Sequence, residues 1–187
     1  MLHQFEGIRF LVGSTTSEPY SLVDPSTHTT TCNGYSLDSD KLRCSFELIS
    51  IKGTVLTVNH FAVQDDWIGK GKAELCLRAF AQMIAAQAPH ITTIQFALYK
   101  VRIRPQIAIN IRKKLVVEAN SLKDRLTADQ IKQTSRELQT QLEDEQVLKL
   151  AVARVNFLKY LGANSVNQGP KIRNSLGDLN ITVSGTW

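Results

Sequence analysis

Cysteine is scarce in this 187-residue chain, and its placement excludes more than its number does. Cys32, Cys44 and Cys76 are odd in count and widely spaced, so they offer neither a disulfide framework nor the paired CxxC arrangement of a zinc site. They read as ordinary reduced thiols, and no metal is expected. Long apolar runs are missing too. None approaches the ~20 residues that a membrane-spanning helix needs, so no membrane partner is expected. The opening Met1-Leu-His-Gln-Phe-Glu-Gly lacks the basic start and apolar core of a signal peptide, which makes a cytoplasmic location the expectation. Repeats and low-complexity tracts are absent. With 43% hydrophobic residues the composition excludes a disordered chain, and the length suits one globular domain with a proper core. Acidic residues are outnumbered, and the net charge of +5 suits a phosphate-rich ligand or nucleic acid without requiring either.

What is present reads as an α/β chain with a mixed sheet. Ile8–Val12 closing on Gly13 suits a first strand, and about thirty residues rich in Ser, Thr, Asp and Pro then predict a long surface excursion. Residues 43–51 and 55–63 are β-rich runs joined at Lys52-Gly53, which predicts an antiparallel hairpin. Ala73, Cys76, Leu77, Phe80, Met83 and Ile84 share one helical face, and Pro89 marks the helix end. Residues 91–99 then form a buried-type strand, so a crossover helix joins two parallel strands. Pro105 suits the first position of a helix carrying Ile107, Ile111, Leu115 and Leu122, although Ile107, Ile109 and Ile111 also fit a strand. Thr127 and Gln130 have the form of a capping box, followed by Ile131, Leu138 and Leu142. The acidic trio Glu143-Asp-Glu145 predicts a break or an exposed turn, after which Val147, Leu150, Ala151, Phe157 and Leu158 sketch another helix ending at Gly162. Short strands are expected at residues 165–167 and 179–183.

The stretch Phe61-Ala-Val-Gln-Asp-Asp-Trp-Ile-Gly-Lys-Gly-Lys-Ala73 carries the chemistry, because a β-type run breaks into a glycine-spaced turn and a helix begins at once. Gly69 and Gly71 allow close backbone approach, while the first amide N–H groups and the positive dipole end of the helix converge on one spot. Such a loop favours an anion such as a pyrophosphate. A Walker-type loop is excluded, since the four-residue spacer and the Gly-Lys-Ser/Thr ending are missing. No Ser or Cys nucleophile sits on a strand-to-helix elbow either, which argues against a hydrolase triad.

Ile68-Gly-Lys-Gly-Lys-Ala73 resembles the central signature of the GCN5-related N-acetyltransferase superfamily: Arg or Gln, Gly, any residue, Gly, any residue, Gly or Ala. Ala153-Arg-Val-Asn-Phe-Leu-Lys-Tyr-Leu-Gly-Ala163 is similar to that family's late helix. The likeness covers roughly residues 43–99 and 147–167. It implies one domain of that fold over residues 1–187, with residues 101–146 as a helical insertion before the late helix. It further implies acetyl-CoA, or another acyl-CoA, as cosubstrate, and an amine as acceptor. Ile68, Gly69, Lys70, Gly71, Lys72 and Ala73 would hold the pyrophosphate, and the main chain of Phe61, Ala62 and Val63 would pair with the pantetheine arm. Asn156 on the late helix joins the cofactor-binding set by the same resemblance.

This sequence departs from the family's pattern at three positions. Ile68 replaces the Arg or Gln, Lys72 replaces an aliphatic residue, and Leu158 stands where a tyrosine often reprotonates the leaving thiolate. Tyr160 is about 200° further round a helix. Transfer needs a neutral amine, so a base must accept a proton; His60 on the strand before the turn and Glu47 on its hairpin partner are the catalytic candidates, with Asp65 and Asp66 behind them.

Lys100, Arg102, Arg104, Arg112, Lys113 and Lys114 fall within fifteen residues that hold no acidic side chain. They read either as a solvated face or as a phosphate-binding patch for the adenosine 3′-phosphate, a nucleic acid or an acidic protein. No aromatic residue interleaves with them, so stacking on single-stranded bases has no support. A homodimer contact through Ile131, Leu138 and Leu142 is a third reading. Two functions therefore stand open: an acyl-CoA-dependent N-acyltransferase, and a non-catalytic module of the same fold that binds a partner or nucleic acid through its basic insertion.

Overall fold

The computed structural model describes residues 4–5, 7–13, 30–67, 70–99 and 105–187. Its strands are β1 (Gln4–Phe5), β2 (Ile8–Val12), β3 (Thr30–Ser36), β4 (Leu42–Lys52), β5 (Val55–Val58), β6 (His60–Val63), β7 (Thr93–Tyr99), β8 (Ser165–Gln168), β9 (Ile172–Arg173) and β10 (Leu179–Thr186). The helices are α1 (Lys72–Gln87), α2 (Pro105–Leu122) and α3 (Ala128–Tyr160), with a 3-10 turn at Asp65–Trp67. The fold class is α/β with a mixed sheet, as the alternation and periodicity predict. Two compact units form: Met1–Ala97 with Val155–Asn167 and Val183–Trp187, and Leu98–Arg154 with Gln168–Thr182.

In the first unit the strands run in the order β1-β2-β3-β4-β5-β7-β10, the last two represented by residues 93–97 and 183–186. Lys52↔Val55 closes the β4–β5 hairpin over a two-residue turn, and Gly53 takes φ +59 there. β5 pairs in parallel with β7 from Val55↔Thr93 to Val58↔Phe96, the parallel crossover that the helix between them requires. Cys76, Leu77, Ala79, Phe80, Met83 and Ile84 are buried on one face of α1, the face that the spacing predicts. Phe46 on β4 lies at the centre of the core. Its ring stacks on Phe80 at 3.9 Å and on Phe61 at 4.7 Å, and Phe10 meets Phe46 edge-on at 6.1 Å.

The expected surface excursion is corrected in part. Residues 14–29 lie outside the described ones, but residues 30–36 form β3 inside the sheet, with Cys32, Gly34 and Ser36 buried. These small inward residues are a packing requirement. A Cβ on Gly34 would stand 2.6 Å from Cys44 Sγ and 3.0 Å from both Ile8 and Phe10.

In the second unit α2 resolves the helix-or-strand ambiguity after Pro105 in favour of helix. Thr127 and Gln130 make the reciprocal capping box: the Thr127 N–H donates to Gln130 Oε1 at 2.9 Å, and the Gln130 N–H to Thr127 Oγ1 at 3.4 Å. The break expected at residues 143–145 does not occur; α3 is one helix through them. Leu142, Val147 and Ala151 carry a buried stripe across the trio, Gln139 donates to Glu143 at 2.8 Å, and Arg173 holds Asp144 at 2.5 Å. Three acidic residues do not break a helix whose apolar stripe continues, since glutamate is itself a good helix former.

α3 ends in the first unit as Gly162 predicts. Gly162 takes φ +78, its N–H donates to the Lys159 carbonyl at 3.0 Å, and the Ala163 N–H reaches the Leu158 carbonyl at 3.2 Å. This is the glycine-terminated Schellman arrangement.

Candidate active site

One run of sequence, residues 55–63, becomes two strands because the chain bends at Asn59. β5 has β4 on one side and β7 on the other, whereas β6 pairs with β4 and has no second strand partner among the described residues. The ladder continues from Ser50↔Thr57 to Glu47↔His60 and Cys44↔Val63 without slipping. Opposite the bend, Leu48 in β4 takes φ +51, a conformation that costs a branched residue roughly 1–2 kcal/mol. The register between β4 and β3 shifts in the same region, so a bulge on one side of β4 accompanies the divergence on the other.

The register also assigns the main-chain groups. The Gln64 N–H donates to the Arg43 carbonyl at 2.9 Å, and donors alternate along an antiparallel strand. His60 and Ala62 therefore face β4 with their main-chain groups, while those of Phe61 and Val63 face the opposite edge. All four residues of β6 are half-buried.

That ladder brings the two catalytic candidates together. His60 Nδ1 lies 3.0 Å from Glu47 Oε2, and Ser45 Oγ donates to Glu47 Oε1 at 3.2 Å. A carboxylate on Nδ1 fixes the tautomer that carries its proton there, which leaves the Nε2 lone pair as the proton acceptor. Asp65 and Asp66 are separated from this pair: Asp66 is held by Arg43 at 2.9 Å, and both are exposed.

Beyond β6 the chain is clamped before it enters α1. Arg43 on β4 places its guanidinium 4.8 Å from the centre of the Trp67 ring while holding Asp66, and Lys72 Nζ is 5.5 Å from the same ring. Gly71 caps α1 with φ +69 and, being glycine, makes no side-chain cap hydrogen bond. Lys70, Gly71 and Lys72 are exposed and Ala73 is half-buried. Ile68 and Gly69, the first half of the expected cradle, lie outside the described residues. Asn156 is exposed on α3, Leu158 is fully buried, and Tyr160 is 62% exposed with its hydroxyl accepting from Arg78 at 3.2 Å.

Sequence reasoning passed over Cys76, one turn inside α1. Its thiol is shifted toward the charged form, first by a hydrogen bond with Cys44 and then by the charges of Lys72 and Arg43. Burial makes it no nucleophile for an external acyl group. Cys44 is shifted the other way by the same bond and by burial, and burial alone raises Cys32. The signal in the sequence was faint: a cysteine near a helix start, five residues after a glycine and four after a lysine.

This geometry fits an elongated ligand with an anionic end. The β6 edge can pair with an amide-bearing arm, and the glycine-capped α1 terminus with Lys70 and Lys72 suits a phosphate. Among the described residues, no three His, Cys, Asp or Glu side chains group as metal ligands, and no helix is long and apolar enough to cross a membrane.

No family model matches the chain, and no curated protein matches its sequence. Among solved structures it is similar to an IAA acetyltransferase from Bacillus cereus ATCC 14579, with 10% identity and a TM-score of 0.44 over 96% of this chain and 99% of that one. A Bacillus subtilis acetyltransferase in complex with CoA gives 10% identity and a TM-score of 0.40 over 96% and 99%. A nourseothricin acetyltransferase gives 9% identity and a TM-score of 0.42 over 99% and 90%. Likeness at this level decides neither the family nor the activity of the chain.

Proposed function

We propose that the chain is an acyl-CoA-dependent N-acyltransferase, with acetyl-CoA as the expected donor and an amine as acceptor. One observation carries the reading: β6 leaves β7 at Asn59, offers one strand edge, and leads within eight residues to a glycine-capped helix start. The main-chain groups of Phe61 and Val63 would pair with the pantetheine arm, and the amides from Gly71 onward with the pyrophosphate. Bound there, an acyl thioester supplies an electrophilic carbonyl. His60 Nε2 accepts the proton of the attacking amine, and Glu47 keeps the imidazole in the accepting tautomer and balances the imidazolium charge. A C–N bond forms as the C–S bond breaks, and the thiolate takes its proton from water.

Where the resemblance implies a tyrosine for the last step, the buried Leu158 stands instead, and the nearby Tyr160 is engaged with Arg78. That observation favours a second reading, in which the fold binds acyl-CoA and transfers slowly or not at all. We further propose that residues 101–146 are an insertion within one domain. Titration calorimetry with acetyl-CoA tests the leading reading, and absence of binding at high micromolar concentration would end it. Gly71→Glu is expected to abolish binding, because it puts an anion and a disfavoured φ where the phosphates would sit. Thiol release over a panel of amines then separates transfer from mere binding.

A further inference from the structure

A second site lies in the first unit, away from the residues that carry the proposed chemistry. A half-open cavity of about 630 Å³ is bordered by α1 from Arg78 to Ala85, by Ile91 and Ile94 around the start of β7, and by Tyr160, Leu161 and Trp187. Its volume falls in the usual range of small-molecule sites, roughly 300–1,000 Å³. Ile84 and Ile94 are buried and give it an apolar floor, while the rings of Tyr160 and Trp187 stand in its more exposed wall. The indole is held in place, because Trp187 Nε1 donates to the Leu161 carbonyl at 3.3 Å and its main-chain N–H to the Thr92 carbonyl at 3.0 Å.

The polar groups at this cavity decide the class of ligand. Arg78 is not an open cation: it donates to the Tyr160 hydroxyl at 3.2 Å and is engaged in a further interaction of its own. No acidic side chain lines the cavity among the described residues, so a ligand charge of either sign would enter without a free counter-charge, which burial penalises. Tyr160 differs. Its hydroxyl accepts from Arg78, and a phenol that accepts one hydrogen bond still has its own O–H to donate, strengthened by the bond it accepts. The Arg78 contact also holds the phenol, so that donor is positioned before a ligand arrives. An apolar hollow with a fixed indole and one neutral donor suits a flat, uncharged aromatic body with one hydrogen-bond acceptor. The site is separate from the β6 edge: it uses Ile91 and Ile94 around the start of β7, whereas β6 follows the far end of the β5–β7 ladder, which closes at Val58↔Phe96.

We propose that this cavity binds a neutral planar heteroaromatic compound, its rings on the apolar floor and against Trp187, its acceptor atom on the Tyr160 hydroxyl. The proposal stands independently of acyl transfer. Quinoline and naphthalene test it as a pair, because they share size and shape and differ by one ring nitrogen, an uncharged acceptor at neutral pH. Titration of the full chain, followed by the Trp187 indole N–H resonance, is expected to show saturable binding of quinoline that acetyl-CoA does not displace. Tyr160→Phe should weaken quinoline about fivefold, the worth of one neutral hydrogen bond, and leave naphthalene unchanged. Naphthoate, which adds a charge, should bind more weakly than quinoline on the order of tenfold. Ala85→Phe, at an exposed lining position, should remove binding of quinoline and naphthalene alike by filling the hollow with little demand on the core. No saturable binding, displacement by acetyl-CoA, naphthoate binding more tightly than quinoline, or an effect of Tyr160→Phe that does not distinguish quinoline from naphthalene would overturn the proposal. So would a concentration-dependent dimer that Ala85→Phe dissociates, since a second copy would then be the occupant.

Discussion

β5 and β6 are consecutive four-residue strands cut from one β-rich run, yet they sit in opposite circumstances. β5 has strands on both sides and buries Leu56 and Val58 completely or nearly so; β6 has one strand partner among the described residues, and each of its residues is half-buried. Pairing on both sides consumes a strand's main-chain groups and leaves it structural. Pairing on one side leaves an edge, which folded proteins otherwise cover or blunt. Here the edge adjoins the His60–Glu47 pair and a helix start, so the place where the sheet stops pairing is also where polar chemistry collects.

The comparison predicts different losses on the two strands. His60→Ala should lower kcat/KM by about 10²- to 10⁴-fold, the range for a positioned general base, while changing the unfolding free energy by less than about 1 kcal/mol. Unchanged turnover would take His60 out of the mechanism and favour the binding-module reading. Leu56→Ala, four residues earlier, should do the reverse. Its side chain is fully buried, so urea denaturation should show a loss of roughly 2–5 kcal/mol, whereas Val63→Ala on the half-buried strand should lose well under half of that. Equal losses would mean that β6 is core and not an edge.

Much of this was legible in the sequence, for identifiable reasons. Thr127, Gln130 and Gly162 act through local geometry and were readable from spacing alone. That Glu47 and His60 lie on partner strands was readable from the hairpin, but their contact was not, because it depends on the turn falling at Gly53-Thr54, one residue beyond Lys52-Gly53. The bend at Asn59 was hidden, because residues 55–63 read as one β-rich run and the divergence depends on which neighbour each half finds. β3 was hidden for another reason: its inward residues, Cys32, Gly34 and Ser36, are small to fit against Phe10 and Cys44, so it carries no hydrophobic signature. The acidic trio misled because charge was weighed above the stripe of Leu142, Val147 and Ala151.

A pair of prolines tests the edge directly, and the effect is smaller. The register turns the Ala62 N–H toward β4 and the Val63 N–H away from it. Ala62→Pro should therefore remove a ladder bond and lower stability by about 3 kcal/mol. Val63→Pro should be tolerated, as proline is on sheet edges, and should weaken acetyl-CoA by roughly tenfold, the worth of one hydrogen bond near 1 kcal/mol with added steric cost. If calorimetry finds acetyl-CoA affinity untouched in Val63→Pro, the pantetheine arm does not use that edge.

The smallest effect concerns what holds the bend. Leu48 accepts φ +51 opposite Asn59, and asparagine tolerates that conformation better than leucine does. Leu48 is 42% exposed, so Leu48→Asn gives up little burial and should raise the unfolding free energy by about 0.5 kcal/mol, read as a higher urea midpoint at constant m. If stability rises and turnover is kept, the strain is incidental to the bend. If stability rises while turnover falls, the leucine conformation positions Glu47, its neighbour in β4, against His60. A loss of stability would instead show that the apolar contacts of Leu48 outweigh its backbone strain, and the divergence of the strands would then have to be attributed to Asn59.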